Sequence, residues 1–315
     1  MRFKKIAVCT IVGGMGVLRA GSAGAQAVDT PIQPSETLPQ EASPSSASPS
    51  STSPSSSQKP LFEIGIAAGA GYIPDYPGAG QSHVRGIAVP YVIYRGDFLQ
   101  TSQSGIRGRL YQSNRVTFDL SLDGTLGSQT NDDKARAGMP KIDYLGEIGP
   151  GVKINLAHPD PTSRFDIDLP VRAAFSTDFS RGDFRGFDVA PDLAYAKSDL
   201  FEPGTRLRIG IGPVFASTRL MNYFYEVKPQ YANAGRPQYG AKAGYLGSRL
   251  QTSLSVPLTD RISAFGGVRG DLFSGAANES SPLLKRTVTL SVGGGFTYSL
   301  YKSSSTTTVT DDFLN

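Results

Sequence analysis

The chain has 315 residues, of which 39% are hydrophobic and 18% charged, and its formal net charge is +4. Because the basic residues are spread singly along the chain, composition and charge argue against a nucleic-acid-binding surface. The only cysteine is Cys9, which excludes disulfides, thiolate metal sites and cysteine catalysis from everything that follows it.

The first 25 residues have the pattern of a cleavable export signal. Arg2, Lys4 and Lys5 precede an apolar run from Ile6 to Leu18, and small residues follow it. The run is shorter than the roughly 20 apolar residues of a membrane-spanning helix. The residues before the cysteine lack the small side chain that lipoprotein processing needs. We therefore predict a signal peptide over residues 1–25, export by the Sec pathway and no lipid anchor.

Residues 26–60 are dominated by Pro, Ser, Thr and Ala, a composition that cannot bury a core and predicts a disordered linker. Residues 61–301 are long enough for one domain with a sizeable core or lumen. Residues 302–315 form a polar C-terminal tail.

The domain shows a period of two in segment after segment, with no comparable helical stripe beyond the signal. In the last segment the apolar face is Val288, Leu290, Val292, Phe296, Tyr298 and Leu300. The facing set is Thr289, Ser291, Gly293, Gly295, Thr297 and Ser299. Since successive side chains of a strand point to opposite sides, each such segment is predicted to be a two-faced strand.

In several other segments the face opposite the apolar residues carries charges. These candidate lumen charges are Asp119, Asp123, Asp166, Asp168, Arg172, Arg206, Arg208 and Arg269. A further apolar face is predicted at Leu246, Leu250, Leu254 and Val256. Each segment has about the 9 to 11 residues with which a tilted strand crosses a membrane.

A soluble β-sandwich also alternates, but the export signal, the strand lengths and the polar faces favour a transmembrane antiparallel β-barrel. Short connections at residues 94–97, 112–115, 157–163, 200–204 and 258–261 contrast with long ones at 73–83, 127–141, 220–240 and 274–284. If residues 98–111 divide into two short strands at Ser104-Gly105, the two kinds alternate and about twelve strands result. Ten strands is the alternative.

Along the chain, Pro74-Asp75-Tyr76-Pro77-Gly78 is followed by Val89-Pro90-Tyr91, Gly138-Met139-Pro140 and Glu147-Ile148-Gly149-Pro150. In these elements and their order the chain resembles the MipA/OmpV family of outer-membrane proteins. The resemblance implies a barrel in the outer membrane of a Gram-negative bacterium. It further implies either a scaffold between a lytic transglycosylase and a peptidoglycan synthase or an osmotically regulated pore. The long Pro/Ser linker and the polar tail depart from the family pattern.

Two groups of residues are candidate sites. The turn formers Pro74, Asp75, Tyr76, Pro77 and Gly78 are expected to build a rigid outer loop, which either binds a partner or narrows the barrel mouth. The lumen charges either select ions or, as we expect for a modest barrel, pair and plug it.

We predict no enzyme, no cofactor and no metal site. A set of Ser82, His83 and Asp75 has no recognised catalytic spacing, and surface polarity explains it better. Lipid-water anchoring is expected for a set of tyrosines, namely Tyr72, Tyr76, Tyr91, Tyr94, Tyr195 and Tyr298. The prediction is therefore a monomeric, non-enzymatic barrel that acts as a scaffold, with a small-solute channel and an adhesin as alternatives.

Overall fold

The computed structural model describes residues 56–94, 99–102, 105–108, 111–112, 115–128 and 133–310. The predicted signal peptide, most of the predicted linker and the last five residues lie outside the described residues. The strands are β1 (Ser56–Pro60), β2 (Phe62–Pro74), β3 (Ser82–Tyr94), β4 (Leu99–Ser102), β5 (Gly105–Gly108), β6 (Tyr111–Gln112), β7 (Val116–Thr125), β8 (Tyr144–Asp160), β9 (Ser163–Thr177), β10 (Gly182–Val189), β11 (Asp192–Ser198), β12 (Arg206–Ala216), β13 (Gly244–Pro257), β14 (Ile262–Leu272), β15 (Val288–Lys302) and β16 (Thr306–Thr310). The helix α1 is Thr218–Tyr225.

The described strands form an antiparallel 12-stranded sheet in the order β3-β2-β15-β14-β13-β12-β10-β9-β8-β7-β6, with β11 between β12 and β9. The first wall strand, β2, pairs with the last, β15. The hairpin β4–β5 contacts β3 through β4 and β7 through β5, which joins the remaining two edges. This hairpin lies where the sequence predicted two short strands, and the predicted antiparallel barrel is confirmed.

The long and short connections lie at opposite ends of the barrel. We call the end with residues 75–81, 126–143, 217–243 and 273–287 the loop end. The opposite end, with residues 161–162, 199–205 and 258–261, is the turn end. A short turn at residues 178–181, which the sequence reading did not name, also lies at the loop end.

The wall is apolar outside and polar inside. Along β15, Val292 and Phe296 are exposed while Thr289, Thr297 and Ser299 are buried. A water-soluble sheet would bury the first set, so this inversion requires an apolar medium around the wall. No helix among the described residues combines the length and apolar character needed to cross a bilayer.

One wall strand is interrupted. β10 and β11 follow each other between β9 and β12, and Ala190-Pro191 separates them. Proline cannot donate to the ladder, which breaks the pairing at this point. On β12 the facing residue is Gly212, where a Cβ would lie 1.9 Å from the Pro191 carbonyl oxygen, so only glycine fits.

The predicted apolar face of β13 is wrong at one residue. Leu246 is buried in the barrel's interior cluster, whereas Leu250 is exposed on the wall. The pairing of β13 with β12 shifts register between Val214 and Phe215, opposite Leu246. This bulge inserts one residue and reverses the side to which Leu246 points.

The first and last described strands lie together at the turn end. β1 pairs with β16, in register from Ser56 opposite Thr310 to Pro60 opposite Thr306. The pairing continues the β2–β15 ladder through a hydrogen bond from the Leu61 N–H to the Ser305 carbonyl oxygen, 2.8 Å. The strand β1 differs from the prediction, which assigned residues 56–60 to a disordered linker, and β16 lies within the predicted polar tail of residues 302–315.

Candidate functional site

The four long loops pack together into a cap over the loop end. Its apolar core contains Leu220, Met221, Phe224 and Tyr225 from α1, whose spacing places them on one helix face. Leu283 and Met139 from other loops pack against the same cluster. This cluster of buried apolar side chains therefore lies mostly in the loops, with a few members from the strand ends beneath them.

Side chains tie the cap loops to each other. The Tyr76 hydroxyl donates to the Leu283 carbonyl oxygen at 2.7 Å, and the Tyr225 hydroxyl donates to the Pro77 carbonyl oxygen at 2.9 Å. Arg136 donates to the Phe224 carbonyl oxygen at 2.8 Å. Every one of these bonds joins residues of two different loops, so the cap is a single packed unit.

The sequence-predicted outer loop lies within this cap. Gly78 adopts a φ of 74°, a conformation that favours glycine. Burial raises the pKa of the Tyr76 hydroxyl and also that of Tyr225, which keeps both as neutral hydrogen-bond donors. Placing Tyr76 at the lipid-water boundary was wrong, because the ring is 1% exposed in the cap.

Asp75 is buried at the base of the cap. The prediction that it is a polar residue of the surface was wrong. The carboxylate is fully buried and pairs with Arg85, while His83 Nδ1 lies 2.8 Å from its Oδ1. Arg85 also donates to the Gly127 carbonyl oxygen. Asp75 thus joins its own loop to β3, and Arg85 joins β3 to the loop that contains Gly127. His158 lies near the turn end, with Asn155 Nδ2 3.3 Å from its Nε2.

Beneath the cap, ion pairs cross the lumen. Arg172 of β9 lies 2.6 Å from Asp188 of β10, 3.4 Å from Glu147 of β8 and 3.5 Å from Asp123 of β7. Arg249 of β13 lies 3.6 Å from the same Asp123. Since β7 and β13 are far apart in the sheet order, the Arg249–Asp123 pair bridges distant parts of the wall.

The crossing network ends on β14. Arg249 Nε donates to Asp271 at 3.0 Å, and Arg269 Nε donates to the other oxygen of Asp271 at 2.8 Å. We call this set the upper network; its members are Asp123, Glu147, Arg172, Asp188, Arg249, Arg269 and Asp271. The set contains four carboxylates and three guanidinium groups. Each of these groups has an oppositely charged group close by.

Nearer the turn end a second group of charges lines the lumen. Arg208 of β12 lies 2.6 Å from Asp168 of β9 and 2.8 Å from Asp192 of β11, and Lys153 of β8 lies 3.6 Å from Asp168. Around these groups is a cavity of about 1730 Å³. Its lining extends from Thr162 at the turn end to the underside of the cap.

Comparison with protein families identifies the chain. The family model described as MltA-interacting protein MipA matches residues 66–300. The chain belongs to the MipA family. A solved structure described as a bacterial polysaccharide outer membrane secretin is 11% identical, with 77% of this chain and 99% of that chain covered and a TM-score of 0.36. The comparison with curated proteins gave no match.

The MipA-family chain is therefore an outer-membrane β-barrel protein. Long loops of such barrels face the outside and short turns the periplasm. By this rule the loop end is expected to be the outer end, and the turn end, where β1 and β16 pair, the periplasmic end.

The structure distributes the eight candidate lumen charges over several places. Asp123, Arg172 and Arg269 join the upper network, and Asp168 and Arg208 join the second group. Three remain outside both groups: Asp166, which pairs with Arg164 at 2.6 Å, and Asp119 and Arg206, which line the cavity.

The ion pairs in the lumen of this MipA-family barrel include five residues that were not predicted from the sequence: Glu147, Asp188, Arg249, Asp192 and Lys153. Their position on inward faces follows from the same alternation, because Ile148 and Val189 beside them are exposed. Tyr91, predicted to anchor at the boundary, instead points inward and donates to Glu63 at 2.9 Å.

Proposed function

We propose that this MipA-family barrel is a non-enzymatic scaffold of the outer membrane that does not conduct solutes and that holds a peptidoglycan-remodelling enzyme at its periplasmic end. The observation that carries the proposal is the upper network under the packed cap. The packed cap lies across the outer end of the path that a solute would take, and the Arg249–Asp123 pair crosses the lumen beneath it.

The partner class comes from the family. The name of the family refers to interaction with MltA, a lytic transglycosylase, and the family resemblance adds a peptidoglycan synthase. The first and last described strands, β1 and β16, pair at the turn end. A linker there can extend from the membrane toward peptidoglycan, which supports capture on the periplasmic side.

Capture is tested with the full mature chain in detergent micelles and a purified MltA-type transglycosylase. We expect co-purification that survives disruption of the cap by Leu283→Ala and weakens when residues 28–55 are deleted. A matched control is an unrelated outer-membrane barrel in the same detergent. Equal capture by that control would contradict the scaffold.

A small-solute channel is the second candidate, because the cavity of about 1730 Å³ is lined by polar side chains such as Ser253, Gln251 and Arg208. Conductance in planar bilayers separates the two. The scaffold predicts no resolved current from the wild-type chain, whereas discrete current steps would favour the channel. The double variant Asp123→Ala/Arg249→Ala then shows whether the crossing pair limits that current.

A further inference from the structure

Aromatic rings cluster on the outside of the wall at the loop end. The Phe184 ring lies 5.4 Å from Phe175 and 5.1 Å from Phe187, and Tyr144 lies 5.0 Å from Phe179. These five residues, which we call the aromatic belt, lie on β8, β9 and β10 and in the turn at residues 178–181. All except Phe184 are exposed.

The turn at residues 178–181 presents Phe179 to the surroundings. The Asp178 carboxylate accepts the N–H groups of Ser180 and Arg181 at 3.0 and 3.1 Å, and the Thr177 hydroxyl accepts the Phe179 N–H. Phe179 has a φ of 69° and is 77% exposed. A bulky residue with positive φ is an outlier that the surrounding bonds must hold in place. The turn therefore fixes an exposed ring instead of burying it.

An arginine borders the belt on its loop side. The Arg219 guanidinium lies 5.1 Å from the centre of the Phe184 ring, and the residue is exposed in the first turn of α1. Ser217 does not cap this helix, since its hydroxyl accepts the Phe187 N–H at 2.9 Å. The positive end of α1 and the Arg219 charge thus lie on the same side of the rings.

The remaining charges near the belt leave a positive excess. Asp183 pairs with Arg185 at 3.0 Å. Hydrogen bonds from Ser180 lower the pKa of the Asp178 carboxyl to about 2, so this aspartate is held by its own turn. Arg181, Arg185 and Arg219 therefore exceed Asp178 and Asp183 by one positive charge around the belt. An anionic headgroup is the complementary ligand.

We propose that the aromatic belt binds a phosphorylated glycolipid of the outer leaflet, with acyl chains against the rings and a phosphate on Arg219. The rings lie on the lipid-facing side of the wall, where a lipid is the natural occupant. A guanidinium binds phosphate through two parallel hydrogen bonds. This site is independent of the scaffold, because it lies at the other end of the barrel.

The chain has no tryptophan, so Phe179→Trp supplies a single fluorescent reporter and keeps an aromatic ring. The full mature chain with this change is titrated in micelles with bisphosphorylated lipid A. We expect a saturable blue shift that is absent with dephosphorylated lipid A. In this background Arg219→Ala should weaken binding about tenfold, which corresponds to the loss of one charge-assisted contact. Arg219→Lys keeps the charge but loses the pair of parallel donors, so its affinity should lie between those of the parent and Arg219→Ala.

The matched control is Arg261→Ala, which removes an exposed arginine from a turn at the opposite end. Equal weakening by Arg261→Ala and Arg219→Ala would overturn the site. So would equal affinity for dephosphorylated lipid A or for phosphatidylglycerol. Heat-modifiable gel migration verifies the fold of each variant. If Arg219→Ala fails to fold, the lysine variant and the lipid comparison still decide.

Discussion

The cap and the wall bury opposite kinds of side chain. In the cap, Leu220 and Leu283 are almost fully buried, as in a soluble domain. In the wall, Phe296 is 58% exposed while Arg172 and Asp188 are buried. The cap therefore buries apolar side chains and the wall buries polar ones, because the loops fold in water whereas the strands are surrounded by lipid.

On β9 the inward-facing side chains change from charged to apolar within two residues. Arg172 and Ala174 both point inward from β9, yet the first belongs to the upper network and the second to the apolar cluster of the cap. Leu145 of β8 and Val214 of β12 belong to the same apolar cluster. The lumen thus becomes apolar where the cap begins, which lets the cap pack directly on the wall.

Removing the central cation of the wall should have the largest effect. Arg172→Met leaves the buried Asp188 and its neighbour Glu147 without their closest guanidinium, and breaking such a pair costs about 3–5 kcal/mol. Urea unfolding in phospholipid vesicles measures the loss. Arg261→Met, at an exposed turn, should change the free energy of unfolding by less than about 0.5 kcal/mol. Similar losses in both variants would mean that the upper network does not stabilise the wall.

The prediction that lipid surrounds the wall can be tested by placing arginine at two depths along one strand. Phe296 lies near the middle of β15 and Val288 at its outer end, on the same exposed face. Phe296→Arg should cost about 2–4 kcal/mol, and Val288→Arg only about 0–1 kcal/mol, because the cost of arginine falls toward the interface. The same unfolding measurement applies. Equal costs at the two positions would argue against a membrane around this wall.

The wall could be predicted from the sequence because its signal is local. In β15 the alternation of Val292, Phe296 and Tyr298 with small polar residues assigns each side chain to a face without any knowledge of its neighbours. The rule fails where the backbone departs from a regular strand. Leu246 lies at a bulge, and a bulge in β13 leaves no mark in the alternation itself.

The cap could not be predicted in the same way, because its contacts join residues far apart in the chain. Tyr76 bonds to the Leu283 carbonyl across 207 positions, and the sequence reading assigned the tyrosine to the lipid boundary. The sequence predicted that charged side chains face the lumen but not which of them pair, since only the closed barrel brings Asp123 and Arg249 together. The sequence Asp178-Phe179-Ser180-Arg181 does contain a usable signal, an aspartate that caps its own turn.

The smallest expected effect concerns the cap alone and sharpens its contrast with the wall. The Tyr225 hydroxyl is fully buried and joins α1 to the Pro77 carbonyl oxygen. Tyr225→Phe removes this bond at a cost of about 1 kcal/mol. Amide hydrogen exchange should then accelerate about fivefold in residues 75–81 and 217–243 and stay unchanged in β14 and β15, since local opening of the cap leaves the wall intact. Tyr301→Phe, an exposed tyrosine at the turn end, should change neither region. Acceleration that spread equally through the strands would mean that cap and wall open as one unit, and the two regions would then differ in composition but not in stability.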